Sequence, residues 1–573
     1  MRLESKARVA RRAMVPTALI LGCFAILGGT SCSGRRGSAP APAPPGTTVT
    51  LFALAEVRGQ IEPCGCTTDP LGDLARTAQL VTEARTRGPV VVVDAGSLLY
   101  PRTTIDPLAL AQENLKADLL AKVYTDELQV AAVGLGPADL AAGPAGVRLP
   151  RLAANVPATA GVPLTNRVLI PVGDEVLGVF GVIGPDEIPA LGASDPIAAA
   201  RAEVADLRGR GAKRIVALAT MSRKDAAALA RAVDGIDVMV VALGALAPEP
   251  KDVHATPDQI GSTWMIYPPN RGQVVARLEL TLRPGAGPLI DAVGPAAAAD
   301  RRSSWRRGWL PSTTSWPASP SIRAPTRHVP GRKRAERDAV AADRAALGTT
   351  PLRAPATGSY FQLAQLRINK ALACDAEVVA AKQAYTRAAG AANLAAAKAA
   401  PPPPPPPPGT AVYVGNEACS DCHQEAVDFW ATTRHAGAWK TLVEVDKQFD
   451  YDCTSCHVTG WGGAGGATMA NAEQWRDVGC ETCHGPGSRH VEADDADAKA
   501  TITLAPAEDL CATQCHTPEH SDTFDRTAYL RDVLGPGHGA AARAALGDGP
   551  TGRALRQAGL AKASATLGAG CPK

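Results

Sequence analysis

Between residues 49 and 298 the chain alternates short apolar runs with stretches whose apolar positions recur every three or four residues. The runs 49–55, 90–94, 130–133, 168–182, 215–219, 238–241 and 274–282 read as strands. The stretches 71–87, 107–124 and 196–208 read as amphipathic helices between them. Strands alternating with helices specify an α/β domain. Periodicity then vanishes over 299–334, where Arg, Ser, Pro and Trp dominate and three of the eight Trp fall between 305 and 316. That stretch reads either as a disordered insertion or as a locally frame-shifted translation. Residues 335–398 are Ala-rich and read as helical. The linker 399–410 holds a run of eight prolines, Pro401 to Pro408, a stiff spacer of roughly 25 Å. Residues 411–573 form a separate domain.

At the N-terminus Arg8, Arg11 and Arg12 precede the apolar run 14–27, followed by small residues and Cys32. Fourteen apolar residues rise only about 21 Å as a helix, short of a bilayer span. Residues 1–31 therefore read as an export signal. It resembles a bacterial lipoprotein signal with Cys32 as the lipidated residue; ordinary cleavage near Ser31 is the alternative. Residues 32–48 read as a flexible tether.

Composition bounds the rest. A chain of 573 residues with 46% hydrophobic and 20% charged residues is neither wholly disordered nor a polytopic membrane protein. The net charge of +3 comes from two places: five Lys/Arg in 1–31 and nine Lys/Arg without any acid in 301–334. The remainder is acidic, and nothing in it argues for nucleic-acid binding. Residues 411–573 carry 22 Asp+Glu against 13 Lys+Arg, which favours transient docking onto a basic partner.

The chemistry-bearing pattern lies in that last domain. Cys-x-x-Cys-His occurs at Cys419/Cys422/His423, Cys453/Cys456/His457 and Cys480/Cys483/His484. Two thiols one helical turn apart add to the vinyl groups of one haem, and the adjacent His binds its iron. A zinc ribbon has no need of a His after every pair. Cys511/Cys515/His516 has one more intervening residue, and reads as a fourth haem attachment or as an unhaemed Cys pair. Eight of the ten His follow the proline run. Four belong to the motifs, leaving His435, His490, His520 and His538 as the second axial ligands of four haem c irons. Met469 is the one Met in the domain, so Met ligation serves at most one iron.

The runs Tyr413-Val-Gly-Asn-Glu-Ala-Cys419, Arg434-His435-Ala-Gly-Ala-Trp439 and Gly479-Cys480-Glu-Thr-Cys483-His484-Gly-Pro-Gly-Ser-Arg489-His490 resemble multihaem c-type cytochromes. The specific likeness is to the tetrahaem electron acceptors of hydroxylamine oxidation. The resemblance implies a mainly α-helical module of closely packed, mostly bis-His haems passing single electrons. His435 and His490 match its distal-ligand positions best.

Residues 49–295 resemble the metallophosphoesterase domain of periplasmic nucleotidases. The segment from Leu51 through Glu56 and Arg58 to Cys64 lies where that family has Asp-x-His-Gly, and Asp94-Ala-Gly-Ser97 where it has Asp-x-Gly-Asp. Gly134-Leu-Gly136-Pro-Ala138-Asp139 replaces its Gly-Asn-His-Glu. The expected His positions hold Arg58, Ala138, Met221 and apolar residues, so the resemblance implies the family's sandwich with its two-metal site largely lost. Cys64 and Cys66 read as a redox or metal pair, or as structural thiols with Cys374 or Cys571 as disulfide partners.

The sequence thus specifies a metallophosphoesterase-like α/β sandwich followed by a helical multihaem cytochrome c domain. The expected function is single-electron transfer in a respiratory chain outside the cytoplasmic membrane, with lipid anchoring through Cys32 and redox proteins as partners. The alternatives are a haem oxidoreductase acting on a small nitrogen or sulfur compound, and a phosphoesterase with an attached cytochrome.

Overall fold

Strand β1 (Thr47–Leu54) is apolar on both faces because it is covered on both. Val49, Leu51 and Ala53 join one core cluster, while Phe52 and Leu54 join another on the opposite face. The chain continues through α1 (Leu74–Arg85), β2 (Val90–Asp94), α2 (Leu110–Asp126) and β3 (Ala132–Val133). Next come β4 (Arg151–Leu152), β5 (Leu164–Thr165), β6 (Arg167–Val172), β7 (Glu175–Ile183), α3 (Pro196–Gly209) and β8 (Arg214–Thr220). The domain ends with α4 (Arg223–Ala232), β9 (Val238–Ala242), β10 (Asp258–Ile260), β11 (Thr263–Ile266), β12 (Val274–Leu282), β13 (Ile290–Asp291), β14 (Tyr360–Arg367) and α5 (Ala376–Ala399). The computed structural model describes residues 46–63, 67–243, 256–268, 271–285, 287–292, 357–494, 496–517, 520–567 and 571. All of these belong to one compact unit, Pro44–Lys573. The export signal, Cys32, the Cys64/Cys66 pair and the stretch 299–334 lie outside the described residues.

Two six-stranded mixed sheets, ordered β13-β14-β12-β1-β2-β3 and β10-β11-β9-β8-β7-β6, pack face to face. Helices α1, α2 and α5 cover the outer face of the first sheet, and α3 and α4 that of the second. The helices start where the sequence caps them: Asp73, Asp195, Ser222 and Asp375 each accept backbone N–H bonds at an N-terminus.

Two elements differ from the sequence expectation. The run 168–182 is a hairpin, β6 with β7, turning at Gly173-Asp174, where Gly173 takes φ +58°. Within the Ala-rich 335–398, expected to be helical, β14 instead pairs antiparallel with β12. Its sequence YFQLAQLR alternates, burying Phe361, Leu363 and Gln365, so the sandwich extends past residue 298.

The proline run is exposed throughout. Beyond it, short helices joined by turns carry one small apolar cluster: Trp439, Val458, Ala467 and Ala472, with Phe449, Trp461 and Trp475 against it. Among the described residues no helix is long and apolar enough to cross a membrane.

Candidate haem-binding site

Each Cys-x-x-Cys-His motif sits on or beside a short helical turn, which places its two thiols on one face. Cys419 and Cys422 lie in the helix Asn416–Trp430, whose regular dihedrals break at His423 (φ −122°, ψ 35°). Cys453 lies in the helix Tyr451–Thr454, capped by Asp450, and the third motif is itself the helix Cys480–His484. In the fourth, the backbone N–H groups of Cys515 and His516 both reach back to the Cys511 carbonyl, at 3.3 and 2.7 Å. The extra residue is absorbed in that widened, i→i−5 turn, and the His still follows at the turn's end.

None of the eight motif cysteines is in a disulfide. Four of them approach in pairs: the Cys419 thiol lies beside that of Cys480 and lowers the latter to about 7, while its own hydrogen bond goes to the Gly415 carbonyl at 3.7 Å. Cys515 and Cys456 lie in the same relation. Burial pushes Cys483 up to about 11. Cys374 and Cys571 are disulfide-bonded to each other, so neither is the partner of Cys64 or Cys66 that the sequence reading allowed.

The histidines face one another. The His423 and His490 rings are 6.2 Å apart, centre to centre, with planes 14° apart. His435 and His516 are 6.4 Å apart at 38°. With metal–nitrogen distances of about 2.0–2.1 Å, two imidazoles on opposite sides of one ion have ring centres about 6.3 Å apart. Both pairs therefore fit one iron each, and a haem iron, with four ligands from its porphyrin, asks the protein for only two. His538 lies close enough to His484 for their charges to interact. Among the described residues no histidine ring faces His457 or His520; the His520 Nδ1 is 2.8 Å from Thr517 Oγ1.

Hydrogen bonds at Nδ1 orient the rings and leave Nε2 for a metal. His457 engages the Ala438 carbonyl at 2.6 Å, His484 that of Thr503 at 2.7 Å and His490 that of Ala498 at 2.8 Å. Burial, with His435 nearby, holds His516 down at about 4, so its imidazole is neutral. Phe524 stacks on that ring at 4.9 Å.

Sequence reading missed the residues that hold the motifs together. Glu481, buried inside the third motif, accepts N–H bonds from Val414, Gly415 and Gly487 at 2.7–3.2 Å. In return, Asn416 Oδ1 accepts from Cys480 N at 3.0 Å. These reciprocal bonds lock the first motif's helix to the third. The one available signal was an acidic residue between paired cysteines.

In the sandwich the surviving carboxylates are engaged internally. Asp139 accepts from the backbone N–H groups of Ser97, Leu98, Leu99 and Gly136, and pairs with the fully buried Arg151 at 3.2 Å. A guanidinium supplies the positive charge against this carboxylate. Asp94 accepts from Gly96 N and Tyr124 OH, each at 2.8 Å. Burial raises Asp94 to about 6 and Glu56 to about 7, although Arg58 pairs with Glu56. Among the described residues no group of three or more His, Cys, Asp or Glu is placed to hold a metal ion.

Residues 418–485 match the family model "Cytochrome c554 and c-prime". The cytochrome c-554 of Nitrosomonas europaea is 37% identical over a 93-position alignment that covers 13% of this chain. The match spans 40% of that relative's length. Over 68% of both chains the fold is similar to a 5'-nucleotidase precursor from Thermus thermophilus, with TM-score 0.40 and 18% identity. A calcineurin-like phosphoesterase from Bacillus subtilis gives TM-score 0.34 at 18% identity, covering 43% of this chain and 88% of its own. The chain thus joins a sandwich similar to nucleotidases and phosphoesterases to a C-terminal segment similar to the c554 cytochromes.

Proposed function

We propose that this protein is an exported multihaem c-type cytochrome that passes single electrons in a respiratory chain. The observation that carries this reading is the two pairs of facing histidines, 6.2 and 6.4 Å apart, drawn from and beside the Cys-motif turns. Bound haem c supplies an iron that gains and loses one electron. The chain tethers the cofactors through Cys419/Cys422, Cys453/Cys456, Cys480/Cys483 and Cys511/Cys515. His423, His457, His484 and His516 hold the irons from one side. His490 and His435, which face His423 and His516, would ligate from the other, with His538 the candidate for the iron of His484. The acidic surface of 411–573 docks a basic redox partner, and a lipid on Cys32 keeps the protein at the cell envelope.

Intact mass with a haem assay on protein matured in a c-type-competent host tests this directly. Four haems and a lipid-modified N-terminus are the expected result. Absence of covalent haem overturns the reading.

A second reading is favoured by one observation, the lack of a facing histidine at His457 among the described residues. An iron held there has an open side for a small nitrogen or sulfur compound. The check is whether CO or nitrite perturbs the spectrum of the reduced protein; an unchanged spectrum leaves electron transfer alone.

A further inference from the structure

Glu481 and Asn416, which lock the first and third motifs together, come from the haem module itself. The second motif is held from outside. On α2, the buried Gln112 donates through Nε2 to Asp450 Oδ1 at 2.8 Å, while its Oε1 accepts from Tyr451 N at 3.0 Å. On α5, the buried Asn393 donates to Gln112 Oε1 at 2.7 Å and to the Phe449 carbonyl at 2.8 Å. Lys116, also on α2 and buried, bonds Asp452 at 2.9 Å and Glu113 at 2.7 Å. Asp450 caps the turn that carries Cys453, and Asp452 immediately precedes that cysteine. The turn holding the second haem-attachment site is therefore fixed by amides and an ammonium group belonging to the α/β sandwich.

Those groups also set a local charge. Burial works against the Lys116 ammonium, yet Asp452 and the other acidic groups around it hold it well above the usual lysine range, so it is charged. The groups facing it are Glu113, Tyr385, Asp450 and Asp452, and Lys447 nearby is paired with Glu62. A buried cation acts at low effective dielectric, where it opposes the oxidised state of a neighbouring redox centre. Asp452, with a 60% exposed side chain, acts in the opposite sense and is more screened.

We infer that the sandwich serves as the tuning element of the second haem site. Lys116 and Gln112 are positioning residues that hold the Cys453 turn, and the Lys116 charge would raise the potential of an iron bound by His457. This rests on the cytochrome reading above.

The test uses the full-length haem-loaded protein, with haem content measured first and each midpoint then followed by spectroelectrochemical titration. Lys116→Met should lower one midpoint by on the order of tenfold in the reduction equilibrium, about 59 mV for one electron, and leave the others in place. Lys116→Arg should restore it. Asp452→Asn should shift the same midpoint upward by a smaller amount, and it carries the test alone if Lys116→Met does not fold. If the wild type carries no haem on Cys453 and Cys456, the cytochrome reading of that motif fails first. Full haem content with unmoved midpoints, a uniform shift of all of them, or shifts of one sign in both variants overturns the tuning role.

Discussion

Glu481 shows how much one side chain can carry in a module with so small an apolar core. Its carboxylate satisfies three backbone donors, which would be left buried and unpaired without it. Glu481→Ala should cost on the order of 3 kcal/mol and lower haem occupancy at the first and third motifs, measured by intact mass. Glu481→Gln keeps an acceptor and should cost about half as much. Asp94 carries a pH signature. Its carboxyl is raised from 3.8 to about 6, chiefly by burial, so folding favours its protonated form. Its stabilising contribution is full below pH 3.8 and is lost as pH rises through about 6. Asp94→Asn removes that loss, and should stabilise the sandwich at pH 8 by up to about 3 kcal/mol, with little gain at pH 4. Denaturant melts at the two pH values check the sign. The motif cysteines and their histidines were legible in the sequence because their chemistry needs fixed spacing. Which histidines face each other was not, since His423 meets His490 across 66 intervening residues.

At the scale of elements, the strands of the sandwich centre could be read because both faces are covered, leaving unbroken Val-rich runs such as 90–94. The hairpin at Gly173-Asp174 escaped because β6 and β7 are both apolar and the two turn residues barely interrupt them. Strand β14 escaped because its alternation sits in an Ala-rich neighbourhood that favours helix by propensity, and pairing with β12 overrides that preference. The consequence is testable. Phe361 is fully buried and packs edge-on against Trp264 at 5.3 Å. Phe361→Ala should cost about 3–5 kcal/mol in chemical denaturation, as for a core position and unlike a change in a peripheral linker. The Cys511 turn makes the complementary point: its longer spacing is accommodated by the backbone, which widens by one residue to bring His516 to the end of the turn.

At the scale of the whole molecule, the eight prolines suggest two bodies on a rod, but the structure joins them closely. Gln112, Asn393 and Lys116 reach the 447–452 segment, and Thr68 bonds Asp522 beside the fourth motif. The Cys374–Cys571 bond ties the start of α5 to the chain's tail, closing a span of 197 residues. No composition shift announces such contacts, since each is made by ordinary polar residues far apart in sequence. The same bond has a consequence for how the protein is made. Cys374 must wait for Cys571, and, under the proposed export, the eight motif cysteines emerge between them into an oxidising compartment. Cys419 lies against Cys480, and Cys456 against Cys515, each pair poised to oxidise. Maturation is then a race in which haem has to capture these thiols before they cross-link. Air-oxidised apoprotein should show Cys419–Cys480 and Cys456–Cys515 bridges by peptide mapping, and should resist later haem loading until reduced.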